Sequence, residues 1–445
     1  MTGELNVLLL SILTCSLLFT IGWKIARRQM GLILGYATGL AYFTIIPLWM
    51  LFFTQAFPGE EGTRIPSIGW VDDAPEIFVL IMMLIACVPF ILVLRDKQLA
   101  PSQPSRTLVL RMLSLYAGLV VVEFMLEGLG VSGSHWAQSK QQFVRDQGMV
   151  GLLTILARTT LRSLVLIVLY NSWQNGNRKH LLLLVLFSLV ELYTTGNRIV
   201  LAQLFILVLL HNLVLQKYKI PLMIAVLAVP LIYSMVIFTV LRTSLHNWQS
   251  FSIGGAVDAL VTSLDDSSAY YQDRISIYYS IGRVTESASI NIFVAVKRQY
   301  PENREFLWGK TLAKPLLFWI PRSVWPNKPH NFTKIAGNEL IGEGVSVNST
   351  SMGEPYANFG FFGVMYVPLM LMLMKTLERI LYSLKTEQRV VQFGMLVLGF
   401  TITRNGLMET GMPMIGTLLL CVVFVPLVGK SDTESDDEDE GSDDE

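Results

Sequence analysis

Apolar residues in this chain gather into continuous runs of about 14–24 residues, from the first residues to the last forty, with short polar segments between them. A helix of roughly 20 apolar residues crosses the hydrocarbon of a bilayer. The runs predict spans at 5–23, 31–54, 77–94, 108–130, 148–170, 181–194, 198–215, 219–241, 356–375, 389–403 and 412–429. Hydrocarbon offers no partner to a backbone amide, so each run must bond to itself as a helix does. A membrane β-barrel would alternate polar and apolar residues over short segments, and these runs do not. The expected fold is an all-α polytopic membrane protein with about 11 transmembrane helices.

The spacing between spans divides the chain. Residues 1–242 carry the first eight spans, 243–355 form one large loop of 113 residues, 356–430 carry the last three spans, and 431–445 form a tail. The loop is no simple linker, since it contains Trp248, Trp308, Trp319 and Trp325 and an apolar stretch over 314–320. Such a segment can lie in the membrane interface with its aromatic rings at headgroup level. Residues 258–271 and 274–297 read as partly helical. No internal repeat divides the chain into the similar halves common in secondary transporters. The sixth and seventh spans, and the tenth and eleventh, are joined by very short polar segments, which are expected in the outer headgroup region.

Charge fixes the expected orientation. With the N-terminus outside, the inner short loops hold fifteen lysines and arginines and the outer ones five, the asymmetry that cytoplasmic loops show. Overall composition agrees: 52% of residues are hydrophobic and 15% charged, against about 25% charged in soluble domains. The net charge of zero hides a split, because Ser431–Glu445 carries ten acids and no base and leaves the rest of the chain at +10. That tail reads as a disordered acidic extension. Cys15, Cys87 and Cys421 all lie in apolar runs and form neither a disulfide framework nor a zinc spacing.

Candidate chemistry starts with charge inside the spans, where each ionisable group needs a reason. Arg158 and Arg162 share a helix face in the fifth span, and Glu123 and Glu127 share one in the fourth. These charges either pair for packing or form a cationic cleft for an anionic headgroup. The joint Tyr193-Thr-Thr-Gly-Asn-Arg198 and the joint Thr403-Arg404-Asn-Gly406 each set an arginine beside a helix terminus. Two such arginines on one cavity could clamp a pyrophosphate; interfacial snorkelling is the alternative. In the loop, Ile320-Pro-Arg322-Ser-Val-Trp325-Pro-Asn-Lys328-Pro-His330 is held extended by three prolines. It presents basic groups for phosphate and an aromatic ring for a sugar face. Further on, Ser351-Met-Gly353-Glu354-Pro-Tyr356-Ala-Asn358-Phe-Gly360-Phe-Phe-Gly363 opens the ninth span, with a carboxylate able to serve as general base or to orient a sugar hydroxyl. His135, His180, His211 and His246 fall in no recognisable string and read as surface or packing histidines.

The two loop strings, IPR..WP.KP followed by GE.Y.NFG..G, resemble those of the oligosaccharide repeat-unit polymerases, the O-antigen polymerase (Wzy-type) family. The TGNR joint is similar to the small-residue-plus-arginine motif of that family and of the related O-antigen ligases. Glu354-Pro355 departs from the family pattern, which often has an apolar or larger residue before the tyrosine. The resemblance implies a GT-C-like fold with its large loop in the periplasm of a bacterial inner membrane, N-terminus periplasmic and C-terminus cytoplasmic. It implies glycosyl transfer without metal or other cofactor, joining oligosaccharide units carried on undecaprenyl pyrophosphate into O-antigen or a related surface polysaccharide. The implied partners are that lipid-linked oligosaccharide, the bilayer and a chain-length-regulating co-polymerase, with no nucleic acid. Arg198, Arg322, Lys328 and Arg404 are then expected to hold the pyrophosphate, with Arg158 and Arg162 behind them. Glu354 or His330 would activate the acceptor hydroxyl, and Trp325, Tyr356 and Asn358 would contact sugar. Rival readings are an O-antigen ligase, a metal-dependent GT-C enzyme using Asp72 and Asp73, a lipid-linked oligosaccharide flippase, and a scaffold protein.

Overall fold

The computed structural model describes residues 2–57, 59, 63–101, 106–127, 161–176, 179–195, 199–219, 221, 288–312, 325, 330–342, 345–383 and 388–404. The span expected at 412–429, nearly all of that at 219–241, residues 148–160 of that at 148–170, the acidic tail, and the loop over 243–287 with its partly helical reading at 258–271 lie outside them. Among the described residues the chain is almost wholly helical, apart from a short antiparallel hairpin of β1 (Ala56–Phe57) and β2 (Ile68–Gly69). Among the described residues, four helices are long and apolar enough to cross a membrane: Gly3–Ala26, Leu32–Thr54, Ala74–Val93 and Thr350–Ser383. The protein is therefore a mainly α-helical membrane protein.

α1 (Thr2–Ala26), α2 (Leu32–Thr54) and α3 (Ala74–Val93) fall where the apolar runs place them. Hydroxyls inside α1 are satisfied by the helix itself: Ser11, Thr14, Ser16 and Thr20 each donate to the carbonyl four residues back. α2 widens to a π turn at Ala41–Ile45, just before Pro47. A proline ring collides with the carbonyl four residues earlier and lacks the donor that carbonyl expects, and a wider turn relieves both. α4 (Arg106–Glu127), α5 (helical over 161–174), α6 (Lys179–Thr195) and α7 (Ile199–Val214) follow.

α1 and α3 run side by side in the same direction. Asn6 Nδ2 donates to the Ala74 carbonyl at 2.9 Å near one end, and Lys24 Nζ to the Leu94 carbonyl at 3.1 Å near the other. α2 runs parallel to α12 (helical over 388–404) with the two backbones in direct contact. A Cβ on Gly35 would overlap the Leu396 carbonyl, one on Gly39 the Thr403 hydroxyl, and one on Gly399 the Leu32 carbonyl. Small residues allow helices in lipid to approach this closely. Gly35→Leu is expected to destabilise the protein by about 3 kcal/mol through overpacking, read as a fall in melting temperature in detergent; an unchanged melt would mean the contact is not maintained.

One end of the bundle carries Arg27, Arg28, Arg95, Lys97 and Arg379, all exposed. Just inside this basic end sits a buried four-charge cluster. The Asp96 carboxylate accepts from the N–H groups of Ile33 at 3.1 Å and Leu34 at 2.8 Å, capping α2 from a distant segment. It is paired with Lys24 at 3.7 Å and Lys375 at 3.2 Å, and Lys375 also meets Glu378. Nearby, Tyr170 Oη and Arg389 bond the two nitrogens of His211 at 2.8 and 3.1 Å. A guanidinium can only donate, so His211 accepts at Nε2 and carries its proton on Nδ1. This is the packing histidine expected from the sequence.

At the opposite end the loop residues pack onto the bundle. α8 (Ala288–Gln299) sits over the start of α3, where Lys297 meets Glu76 at 3.4 Å and Arg298 meets Asp73. α9 (Phe332–Leu340) is tied to the hairpin connection by Arg64 N–H to the Leu340 carbonyl, and to residue 304 by an Arg304–Glu339 ion pair. That pair is partly exposed, and burial pushes the Glu339 carboxyl upward while Arg304 opposes the shift. Burial likewise pushes the Tyr300 hydroxyl up to about 12.

Candidate functional site

The string around Glu354 folds differently from the sequence expectation. The expected loop runs to residue 355, with a span beginning at 356. The structure instead makes Thr350–Phe359 a helix of its own, α10, followed by a tight 3-10 segment Gly360–Met365 and then α11 (Tyr366–Ser383). Gly360 takes a left-handed φ of 60° to end α10. Gly363 then comes so close that a Cβ there would overlap the Pro355 carbonyl. The chain thus doubles back on α10 before α11 begins.

α10 starts within the bundle rather than beyond its end. All of Thr350 to Asn358 is buried. The Tyr36 hydroxyl, early in α2, faces Ser351 in the first turn of α10, and Tyr36 also lies near Cys87, well inside α3. Glu354 follows one turn further on, with 4% of its surface exposed. It lies within electrostatic reach of Tyr366 at the head of α11. The Phe332 ring is set beside Gly353, and His330, exposed, stands two residues before it.

Tyr356 and Asn358 are placed by packing. Tyr356 is buried between the rings of Phe293 and Phe306. Asn358 Nδ2 donates to Thr311 Oγ1 at 2.7 Å and to the Glu354 carbonyl at 2.8 Å, while its Oδ1 accepts from Gly309 N–H at 2.9 Å. Both amide protons are thereby used inside the fold, pinning residues 309–311 to α10. Much of the NFG..G pattern thus serves a turn and its support, which leaves Glu354 as the member with chemistry to offer.

Arg404, the last described residue of α12, is half-buried. Its neighbour Thr403 lies against Gly39. α2 continues fifteen residues beyond Gly39 to Thr54, roughly 22 Å at 1.5 Å per residue. Arg404 therefore sits inside the length of α2, not level with its outer end as the short joint suggested. Arg162 is buried and paired with Glu191 on α6 at 3.5 Å, a partner that sequence spacing did not single out. Trp325 is half-buried. Arg158, Arg198, Arg322 and Lys328 lie outside the described residues. Of the candidate site residues, Arg404 is set beside α2 through its neighbour Thr403, and Glu354 is buried in α10. Ser351 heads the string singled out in the sequence, and Tyr36, within the second apolar run, carried no signal there. No group of three or more histidines, cysteines or carboxylates suited to a metal occurs among the described residues. No protein-family profile, curated protein or solved structure matches this chain.

Proposed function

We propose that this protein is a membrane glycosyltransferase of the O-antigen polymerase kind, joining oligosaccharide units carried on undecaprenyl pyrophosphate at the periplasmic face of a bacterial inner membrane. The observation that carries the reading is a carboxylate, Glu354, buried in a short helix that is packed into the bundle ahead of α11. The acceptor hydroxyl oxygen attacks the anomeric carbon of the donor. Its proton passes to the Glu354 carboxylate, and the bond from that carbon to the pyrophosphate oxygen breaks. The pyrophosphate leaves as an anion, so it needs positive charge more than it needs an acid. Arg404 supplies that charge, together with Arg198, Arg322 and Lys328. His330 is the second candidate for the proton. The excess of lysine and arginine at the basic end supports an N-terminus outside and a C-terminus in the cytoplasm, and a chain-length-regulating co-polymerase is the expected protein partner.

The test is a glycan ladder. Full-length protein in detergent receives a short undecaprenyl-pyrophosphate oligosaccharide with chelator and no nucleotide sugar. The wild type is expected to build a ladder, and Glu354→Gln to slow it about 10²–10⁴-fold. A wild type that makes no ladder even when metal is restored overturns the reading. Transfer seen only when lipid A core is added would mark a ligase instead.

A further inference from the structure

We propose that Trp308 is a stacking platform for a sugar ring, at the end of the bundle opposite the basic one. This tryptophan has 67% of its surface exposed. Its backbone holds a left-handed φ of 48°, which a bulky side chain takes only under strain. Gly309 beside it is left-handed too, at 78°. Hydrogen bonds to the end of α10 keep the turn in place. Leu307 N–H donates to the Ala357 carbonyl at 3.0 Å, Trp308 N–H to the Asn358 carbonyl at 3.2 Å, and Gly309 N–H to Asn358 Oδ1 at 2.9 Å. Strain of this kind persists only where its surroundings over-determine it, and it gathers at ligand sites. The indole is braced as well. Phe306 and Phe359 meet it in T-shaped contacts, with ring centroids 6.0 and 6.5 Å away. Phe306 in turn meets Tyr356, and Tyr356 meets Phe293, so a row of rings leads from α8 to one exposed indole.

A pyranose ring suits such a platform. One of its faces is a plane of C–H bonds, which lies flat on the electron-rich face of an aromatic ring. Bracing removes freedom that the side chain would otherwise lose on binding. Glu305 and Lys310, both exposed, flank the tryptophan and offer an acceptor and a donor to sugar hydroxyls. Charges on both sides and a fixed left-handed turn do not suit a lipid anchor, which needs a continuous apolar face. The platform also lies close to the proposed chemistry. Asn358 is four residues beyond Glu354, about 6 Å along α10, a separation that a short oligosaccharide bridges. Sugar stacking follows from Trp308 and its braces alone; that the sugar belongs to a lipid-linked chain rests on the glycosyl-transfer reading above.

The test uses full-length protein in lipid nanodiscs, an array of bacterial surface-polysaccharide fragments, and thermal melts. The wild type is expected to retain fragments. Trp308→Gly should weaken binding of the best of them about tenfold, with Trp308→Phe in between. Trp308→Gly should melt no lower than the wild type, because glycine takes a left-handed φ without strain. A wild type that retains no fragment overturns the proposal, as does undiminished binding by Trp308→Gly. A clear fall in that variant's melting temperature also overturns it, since the ring would then hold the fold together. Brominated phospholipid in the nanodisc separates a sugar platform from a membrane anchor. Trp308 emission, taken as the difference between wild type and Trp308→Phe, should be quenched by aqueous acrylamide and not by the lipid; quenching by the lipid overturns the proposal. Fragment binding that needs Trp308, in a protein that builds no ladder, leaves the platform standing and removes the glycosyl-transfer reading. A ladder built by a protein whose fragment binding ignores Trp308 does the reverse.

Discussion

Asp96→Asn will lower the stability of this protein by about 3–5 kcal/mol. Asparagine keeps the shape of the side chain but removes the charge that holds Lys24 and Lys375 inside the basic end of the bundle. All four members of the cluster are buried, so solvent cannot take over the role of Asp96. Its two carboxylate oxygens also accept the first free N–H groups of α2, and an amide can accept from only one side. One substitution therefore leaves a buried cation under-compensated and a helix start half-capped. Thermal melting of the purified protein measures the loss. Combining Asp96→Asn with Lys24→Met, which leaves Lys375 paired with Glu378, should recover much of it, because removing both partners of a buried pair costs far less than removing one. A melting temperature unaffected by the single change would mean that water reaches the cluster.

Arg404→Ala will slow transfer by about 10²–10³, the scale for losing one preorganised charge aimed at a developing anion. Its position decides the size of the effect. An arginine snorkelling at the bilayer surface would be replaceable at little cost. Arg404 instead follows Thr403, whose hydroxyl lies against Gly39, inside the length of α2. Arg404→Lys should recover only part of the rate, since an ammonium cannot make the paired bonds of a planar guanidinium to phosphate. The single-turnover rate of the ladder reaction reports both variants. A full rate for the alanine variant would place the anion-stabilising charge on another residue.

The sequence reading captured what depends on hydrophobic length and missed what depends on neighbours. α1, α2 and α3 lie within a few residues of their expected limits because each is a long, nearly pure apolar run. α10 was invisible for the opposite reason. The string from Ser351 to Gly363 reads as the opening of one span, whereas here Pro355 sits inside a separate short helix and Gly360 and Gly363 shape the reversal after it. The depth of Arg404 was equally hidden. A span length fixes how far a helix rises, but only the contact with Gly39 shows where on α2 that rise ends. Arg162 was correctly marked as a buried charge, yet nothing in its spacing pointed to Glu191 on α6. The four-charge cluster draws on segments around residues 24, 96 and 375, a distance along the chain across which no local pattern carries.

The bare-backbone contact between α2 and α12 has a consequence for how the protein is made. Gly35 and Gly39 emerge from the ribosome about 350 residues before the helix that covers them. At roughly 5–20 residues per second, that is an interval of about 20–70 s. During this time the glycine face of α2 meets lipid or an insertion factor, and a shallow groove stays open in the half-built bundle. A ribosome stalled before residue 388 would release a protein with its early helices in place and that groove unfilled. Quality control that recognises unfinished membrane proteins by such a groove would see this chain as incomplete until almost its last helix.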